Sequence, residues 1–172
     1  MSGAAVRSAP LAVALLLAAP AAARAQAPDP AAPPGAVLAA VTGLFDAMRA
    51  GDSARVRAAF HPRAQLATTL QRPDGRTEVR VDSLDAFVRA VGTPHPAVWD
   101  ERLRTPVVQV DGPLAQVWVG YAFFAGPAFS HCGVNAFTLG RGADGWRILS
   151  IADTRQRAGC PEQRAAGAPA PR

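Results

Sequence analysis

The sequence contains no lysine, and all 18 of its basic residues are arginine. This absence excludes a Schiff-base mechanism, a pyridoxal-phosphate lysine and a phosphate-binding P-loop, because each of them needs a lysine amine. The arginines are scattered without a run or a stripe, so the formal net charge of +5 does not indicate a nucleic-acid interface. We therefore predict no cofactor and no nucleic-acid partner.

Histidine and cysteine are also scarce, with three histidines and two cysteines in 172 residues. A zinc site needs at least three converging ligands, and the histidines at 61, 95 and 131 show no recognised ligand spacing. We predict no metal.

Long apolar runs are missing as well, since a membrane-spanning helix needs about 20 apolar residues. The longest run, "LAVALLLAA", lies between Arg7 and an A-x-A pattern formed by Ala23 and Ala25. Such an arrangement is typical of a secretory signal peptide. We expect residues 1–25 to be removed after Ala25 and the protein to be exported, to the periplasm or the medium, without a membrane partner.

The remaining chain is long enough for one domain with a hydrophobic core. We expect residues 26–35 to be a disordered Pro/Ala-rich linker, and residues 158–172 to be a similar tail that Cys160 tethers before it becomes disordered. The predicted domain is therefore 36–157.

Apolar periodicity predicts three helices in the first half of this domain. Helical spacing runs from Val37 to Met48 and ends at Gly51. A short second helix follows with Asp52 or Ser53 as its N-cap, and a third is capped by Asp82 or Ser83 and ends at Gly92.

The other segments have the character of strands. "AQLATTLQ" and "RTEVRV" flank the turn "RPDG", and three long strand signals follow the third helix, the last of them a hairpin that turns at 142–145. The plan is α+β: three N-terminal-half helices packed on a curved antiparallel sheet.

This order of elements resembles the nuclear-transport-factor-2-like superfamily over residues 36–154. The phrase "GLFDAMRAGDSARVRAAFHPRAQL" is similar to the opening helices of SnoaL-like members, and "VDGPLAQVWVGYAFF" with "SHCGVNAFTLGR" resembles an exported bacterial branch. The resemblance implies a cone-shaped fold. That fold hosts isomerases, cyclases, dehydratases and binding modules, so it leaves the function open.

Alternation along the strands sorts the candidate residues into two faces. Val117, Val119, Tyr121 and Phe123 form the apolar, concave set of one strand. His131, Asn135, Phe137 and Leu139 share the concave face of the next, while Cys132 points away from it. Trp146 and Ile148 are assigned to the same face in the last strand, with Arg147 outside.

His131 and Cys132 therefore do not form one site, although they are adjacent. Cys132 is expected to lie across from residue 153 or 154, with Cys160 close enough to fold back. Two cysteines in an exported protein usually pair. We predict a Cys132–Cys160 disulfide.

The candidate ligand site is a polar cluster at the mouth of the cone with apolar walls. Its predicted members are Trp99, Glu101, Tyr121, Phe123, His131, Asn135 and Phe137. This composition suits a small apolar or aromatic ligand. An alternative is an isomerase, dehydratase or cyclase with Glu101 or His131 as general base. A third hypothesis is a structural module with a filled cone, in which His131 and Asn135 bond to each other and stiffen the sheet.

Three further polar features have simpler interpretations. His61 caps the loop after the second helix or lies at the rim of the pocket, and His95 is exposed between two prolines. Residues 153–155 are expected to form a surface ion pair at the end of the last strand.

The convex face of the sheet is also apolar in the sequence. No helix is left to cover Val134, Ala136, Leu149 and Ile151, which predicts a homodimer through this face.

Overall fold

The structure, a computed structural model, describes residues 34–72 and 74–162. The predicted signal peptide (1–25) and most of the predicted linker lie outside the described residues, as does the end of the tail. The first helix begins at Pro34, inside the predicted linker, so helical structure starts two residues before the predicted domain. Proline suits this position because the first helical N–H groups have no partner in the helix. Within the described residues, no helix is both long and apolar enough to cross a membrane.

Three helices and six strands make up the described fold, which is α+β as predicted. In chain order they are α1 (Pro34–Arg49), α2 (Ser53–Ala59), β1 (Phe60–Gln71), β2 (Thr77–Asp82), α3 (Leu84–Gly92), β3 (Trp99–Asp111), β4 (Leu114–Ala125), β5 (Ala128–Gly142) and β6 (Gly145–Arg155).

The caps that the sequence left open are resolved by side-chain contacts. The Asp52 carboxylate accepts a hydrogen bond from the N–H of Arg55 at 2.9 Å and caps α2. The Ser83 hydroxyl accepts one from the N–H of Ala86 at 3.1 Å and caps α3. Each bond satisfies one of the N–H groups that have no partner within the helix.

The strands form one sheet in the order β2-β1-β6-β5-β4-β3. All neighbours are antiparallel except β1 and β6, which run parallel. The sheet is therefore mixed, and the expectation of a wholly antiparallel sheet is corrected for that one pair. The chain passes from α2 directly into β1. The apolar pattern of one strand does not show which distant strand will pair with it, so the sequence did not reveal the pairing of β1 with β6.

The hydrophobic core lies between α1, α2 and α3 and the concave face of the sheet. Val37, Val41 and Leu44 of α1 are fully buried against Val117 and Val119 of β4 and their neighbours. The predicted concave set of β4 is thus confirmed. Trp146 and Ile148 of β6 are buried in the same core.

A β-bulge interrupts the ladder between β5 and β6. Leu139 pairs with Ile148, but Thr138 pairs with Ser150, so Leu149 is an extra residue in β6. An extra residue reverses the alternation of every side chain that follows it.

The bulge changes the face of the last part of β6. Ile151, Asp153 and Arg155 line the interior of the cone, on the same face as Trp146 and Ile148. The prediction that Ile151 belongs to the convex face is therefore wrong.

Cys132 and Cys160 form the predicted disulfide, which closes a sequence separation of 28 residues. Cys132 lies opposite Gln156 rather than residue 153 or 154. The pairing of Gly142 with Gly145 alone would place it opposite residue 155, and the bulge adds one residue. Beyond the disulfide, Glu162 forms an ion pair with Arg104 at 2.9 Å. These contacts hold the described part of the tail against the sheet.

Candidate functional site

A cavity of about 630 Å³ lies between the helices and the concave face of the sheet. Six predicted site residues line it: Trp99, Glu101, Tyr121, Phe123, His131 and Asn135. A cavity of this size fits a small organic ligand. The open interior contradicts the hypothesis of a cone filled by its own side chains.

Phe137 does not belong to the site, contrary to the prediction. Its ring is buried and packs edge-on against Phe45 of α1, with 6.0 Å between the ring centres. The alternation of β5 placed Phe137 on the correct face. Its position along the strand puts it deeper, where α1 covers it.

Glu101 and Asn135 meet across the concave face although they lie on β3 and β5. Asn135 Nδ2 donates to Glu101 Oε1 at 2.7 Å. Burial raises the pKa of the Glu101 carboxyl to about 7, and the negative charge of Asp153 adds to the rise, while the Asn135 bond and Arg155 oppose it. At neutral pH this carboxyl is therefore divided between its protonated and ionised forms.

Asp153 is the main site residue that the sequence analysis missed. It forms the predicted ion pair with Arg155, but it is buried rather than on the surface, because the bulge turns it inward. Thr68 donates to Asp153 Oδ1 at 2.5 Å, and Arg155 donates to Oδ2 at 2.7 Å. The available clue was an acidic residue directly after an apolar strand segment.

Tyr121 joins the Asp153 cluster to the backbone of β6. Its hydroxyl donates to the carbonyl oxygen of Thr154 at 2.9 Å and lies 3.3 Å from Asp153 Oδ2. Burial and the nearby carboxylates raise the pKa of the phenol above its usual value. Tyr121 therefore stays protonated and acts as a hydrogen-bond donor.

His131 lies in an aromatic wall rather than in a hydrogen-bonded pair with Asn135. Its ring stacks on Phe123 at 5.0 Å and meets Tyr121 edge-on at 5.7 Å. Its Nδ1 lies 3.0 Å from Ser130 Oγ. Burial lowers the pKa of the imidazole to about 4, assisted by the positive charge of Arg155. His131 is thus neutral at pH 7 and is a weaker base than Glu101.

The other two histidines take different positions. His61 is exposed, and its Nδ1 accepts a hydrogen bond from the N–H of Arg63 at 3.2 Å. It lies within β1 rather than in a loop, so the predicted loop cap is wrong. His95 is exposed as expected, yet it also stacks on Trp99 at 3.8 Å. The aromatic wall therefore extends from His131 through Phe123 and Trp99 to His95.

The opposite wall comes from segments that the sequence analysis did not connect to the site. Those side chains are Leu44 and Met48 of α1, Ala86, Phe87 and Ala90 of α3, and Leu66, Thr68, Arg80 and Asp82 of the β1–β2 pair. No local pattern identifies them, because only the packing of the helices over the sheet brings them together. Across residues 34–72 and 74–162, no three His, Cys, Asp or Glu side chains are grouped as metal ligands would be.

Comparisons with known proteins agree with this architecture. Residues 32–152 match the model of a family described as "Putative lumazine-binding". No curated protein matches the chain.

Many solved structures share the fold. A nuclear-transport-factor-2-like protein from Novosphingobium aromaticivorans is 14% identical with a TM-score of 0.58, over 76% of this chain and 86% of its own. A similar protein from Silicibacter pomeroyi is 22% identical with a TM-score of 0.52, over 71% of this chain and 94% of its own. The CaMKII hub of S. rosetta is 19% identical with a TM-score of 0.57, over 74% of this chain and all of its own. At these identities, the matches establish a nuclear-transport-factor-2-like fold.

Proposed function

We propose that this chain, which belongs to the family described as "Putative lumazine-binding", binds a small planar heteroaromatic molecule in the cavity of its cone. The observation that carries the proposal is the open cavity of about 630 Å³ with an aromatic wall and a few hydrogen-bonding side chains. Pockets of this composition hold flat ligands by stacking and orient them by a small number of polar contacts.

A calorimetric titration with lumazine and other heteroaromatic rings tests the proposal. Ala86→Trp places a large ring in the cavity and should abolish binding, because Ala86 lines that space. Ala39→Trp makes the same change at an exposed position of α1 and should bind as the wild type does. Absence of binding to every ring of the panel, or equal binding by both variants, would contradict the proposal.

A second candidate function is proton-transfer catalysis with Glu101 as the base, as in an isomerase, dehydratase or cyclase. The specific observation is a carboxyl whose pKa is about 7, beside an apolar cavity. A general base works best when its pKa is close to the working pH. The pKa of His131, about 4, makes it the weaker of the two candidate bases.

Hydrogen–deuterium exchange at carbon next to the carbonyl of a small cyclic ketone measures this activity directly. If Glu101 is the base, the wild type should accelerate the exchange and Glu101→Gln should not. Equal rates for both proteins would leave binding as the only supported function.

We also propose a homodimer through the convex face of the sheet. Trp118 and Val107 are paired across β3 and β4 on that face, and their exposures are 58% and 54%. Such large exposed apolar side chains are typical of an interface, and the half-buried Val134, Ala136 and Leu149 lie on the neighbouring strands.

Light scattering at micromolar concentration tests the dimer. The wild type should have the mass of two chains and Trp118→Glu that of one, while Val79→Glu, at an exposed position of the edge strand β2, should stay dimeric. A monomeric wild type would rule out this interface.

Export to the periplasm or the medium is the location that we propose for the protein. It rests on the signal-peptide pattern of residues 1–25 and is supported by the disulfide, since such bonds persist in oxidising compartments. Mass spectrometry of the protein expressed in a bacterial host should give a chain that starts at Gln26. An uncleaved chain recovered only from the cytoplasm would contradict the proposal.

A further inference from the structure

The polar side chains of the cavity differ in how much hydrogen-bonding capacity they have left. Both carboxylate oxygens of Asp153 already accept hydrogen bonds. Thr68 donates to Oδ1 and Arg155 donates to Oδ2, and the Tyr121 hydroxyl also lies close to Oδ2. In Glu101, Oε1 accepts from Asn135. Among the described residues, Glu101 Oε2 has no hydrogen-bond partner, and the side chain lines the cavity. Of Glu101 and Asp153, Glu101 is therefore the acid with an oxygen left for a ligand.

The position of Glu101 also sets how a flat ligand would meet it. Trp99 and Glu101 are two positions apart on β3, so both side chains lie on the concave face. The ring of Trp99 packs edge-on against Phe123, with 5.9 Å between the ring centres. Phe123 pairs with Glu101 across the two strands and stacks on His131. A ring lying against this wall presents its edge, rather than its face, to the Glu101 carboxyl.

We propose that Glu101, held by Asn135, binds the lactam edge of the ligand, which is an adjacent ring C=O and N–H such as those of a dioxopyrimidine ring. The inference rests on the proposed binding function and adds the chemical class of the ligand. A protonated carboxyl donates from Oε2 to the ring C=O, and Oε1, which keeps one lone pair beside the Asn135 bond, accepts from the neighbouring ring N–H. An ionised carboxylate only accepts, and it matches the two neighbouring N–H donors of a 2-amino ring instead.

The surroundings of Glu101 favour the protonated form. Burial is the main reason that its pKa is raised to about 7, and helices α1 and α3 face the cavity with apolar side chains. The titratable or charged side chains that share the cavity are Tyr121 of β4, His131 of β5, Asp153 and Arg155 of β6, and Arg80 and Asp82 of β2. Asp153 forms ion pairs with Arg155, and Arg80 with Asp82. Both arginines thus have a carboxylate partner of their own.

The experiment compares two pteridines that differ only in their ring N–H groups. Lumazine carries the N–H groups of the dioxo ring, and 1,3-dimethyllumazine carries a methyl group in place of each of them. Calorimetry at pH 6 and pH 8 measures Kd for each ring with the wild type, with Glu101→Gln and with Glu101→Leu. Glu101→Gln keeps one donor and one acceptor at both pH values, whereas Glu101→Leu removes both.

The wild type should bind lumazine at least about tenfold more tightly than 1,3-dimethyllumazine at pH 6, and this ratio should fall at pH 8 as Glu101 ionises and can no longer donate to the ring C=O. For Glu101→Gln, the ratio of the two Kd values should be the same at pH 6 and pH 8. The titration of the ligands themselves is common to all variants and is subtracted first. Glu101→Leu should lose between about tenfold and a hundredfold in lumazine affinity, because the lactam edge would lie unpaired in the cavity.

Two outcomes would overturn the inference separately from the function on which it rests. Binding of both rings with no preference, or with a preference that Glu101→Leu leaves intact, would exclude the lactam edge as the group that Glu101 recognises. Failure of every heteroaromatic ring to bind the wild type would overturn the proposed function and this inference together. Circular dichroism should show that both variants are folded, and the isosteric Glu101→Gln keeps the comparison valid if Glu101→Leu is not.

Discussion

The hydroxyl of Tyr121 donates a hydrogen bond to the carbonyl oxygen of Thr154, 2.9 Å away, across the intervening strand β5. The residue beneath this bond is Gly133, which pairs with Tyr121 in the β4–β5 ladder. A Cβ atom at Gly133 would overlap the Thr154 carbonyl oxygen and would lie 2.9 Å from Tyr121 Cε1. The contact between β4 and β6 therefore requires glycine at this position.

Gly133→Ala should destabilise the protein by about 3 kcal/mol or more, because a backbone carbonyl cannot move aside as a flexible side chain would. Gly43→Ala is the matched control, since a Cβ at that helical position meets nothing within 4 Å. The control should be stabilising by about 0.5–1 kcal/mol. Urea unfolding of both variants measures the difference, and a neutral Gly133→Ala would show that the strands are not held this closely.

The two shifted pKa values predict opposite effects of pH on stability. Glu101, with a pKa raised from 4.5 to about 7, stabilises the fold below pH 4.5 and loses that contribution as the pH rises towards 7. His131, with a pKa lowered from 6.5 to about 4, stabilises the fold above pH 6.5 and loses that contribution as the pH falls towards 4. Between about pH 4.5 and 6.5 the two effects oppose each other.

Single substitutions should separate these effects. In Glu101→Gln, the free energy of unfolding should increase more steeply between about pH 4.5 and 6.5 than in the wild type. The reason is that the opposing contribution of Glu101 is gone and that of His131 remains. In His131→Phe, it should increase less steeply or decrease. Urea unfolding at several pH values measures both slopes, and parallel curves for all three proteins would contradict the assigned pKa shifts.

His131→Ala should weaken ligand binding with little loss of stability. The side chain contributes stacking on Phe123 and a contact with Ser130, and it is only half-buried. Each of the two aromatic contacts that are lost, with Phe123 and with Tyr121, costs about 0.5–1.5 kcal/mol, whereas a ligand that stacks on this wall loses part of its binding surface. Thermal unfolding and calorimetry with the same ligand provide the comparison. A fall of many degrees in Tm with unchanged Kd would instead assign His131 a structural role.

Replacement of Cys132 and Cys160 together by serine should lower stability by about 3 kcal/mol in the chain-entropy description, for a separation of 28 residues. Ligand affinity should be unchanged, because Cys132 points away from the cavity that its neighbour His131 lines. Reduction of the wild type should reproduce the same loss. Two free thiols in the unreduced, denatured protein would show that the bond does not form.

Local patterns in the sequence determined much of the framework. Helical spacing from Val37 to Met48 identified α1, and strict alternation in β4 placed Val117, Val119 and Tyr121 on the concave face. These predictions succeed because each depends on one element whose buried side follows its own period. All seven predicted cavity residues lie on the concave face that such alternation assigned to them, and six of them line the cavity.

Only the tertiary structure decided how the last strand contributes to the site. Uninterrupted alternation from Trp146 and Ile148 would have turned Asp153 outward. The unpaired Leu149 instead brings Asp153 opposite Asn135 on the concave face. A bulge forms where the pairing of two strands needs one more residue on one side, and the period of a single strand does not record that need. The pairing of β5 with β6 therefore placed Asp153 and Arg155 in the cavity, whereas the sequence itself identified Glu101 and the aromatic wall.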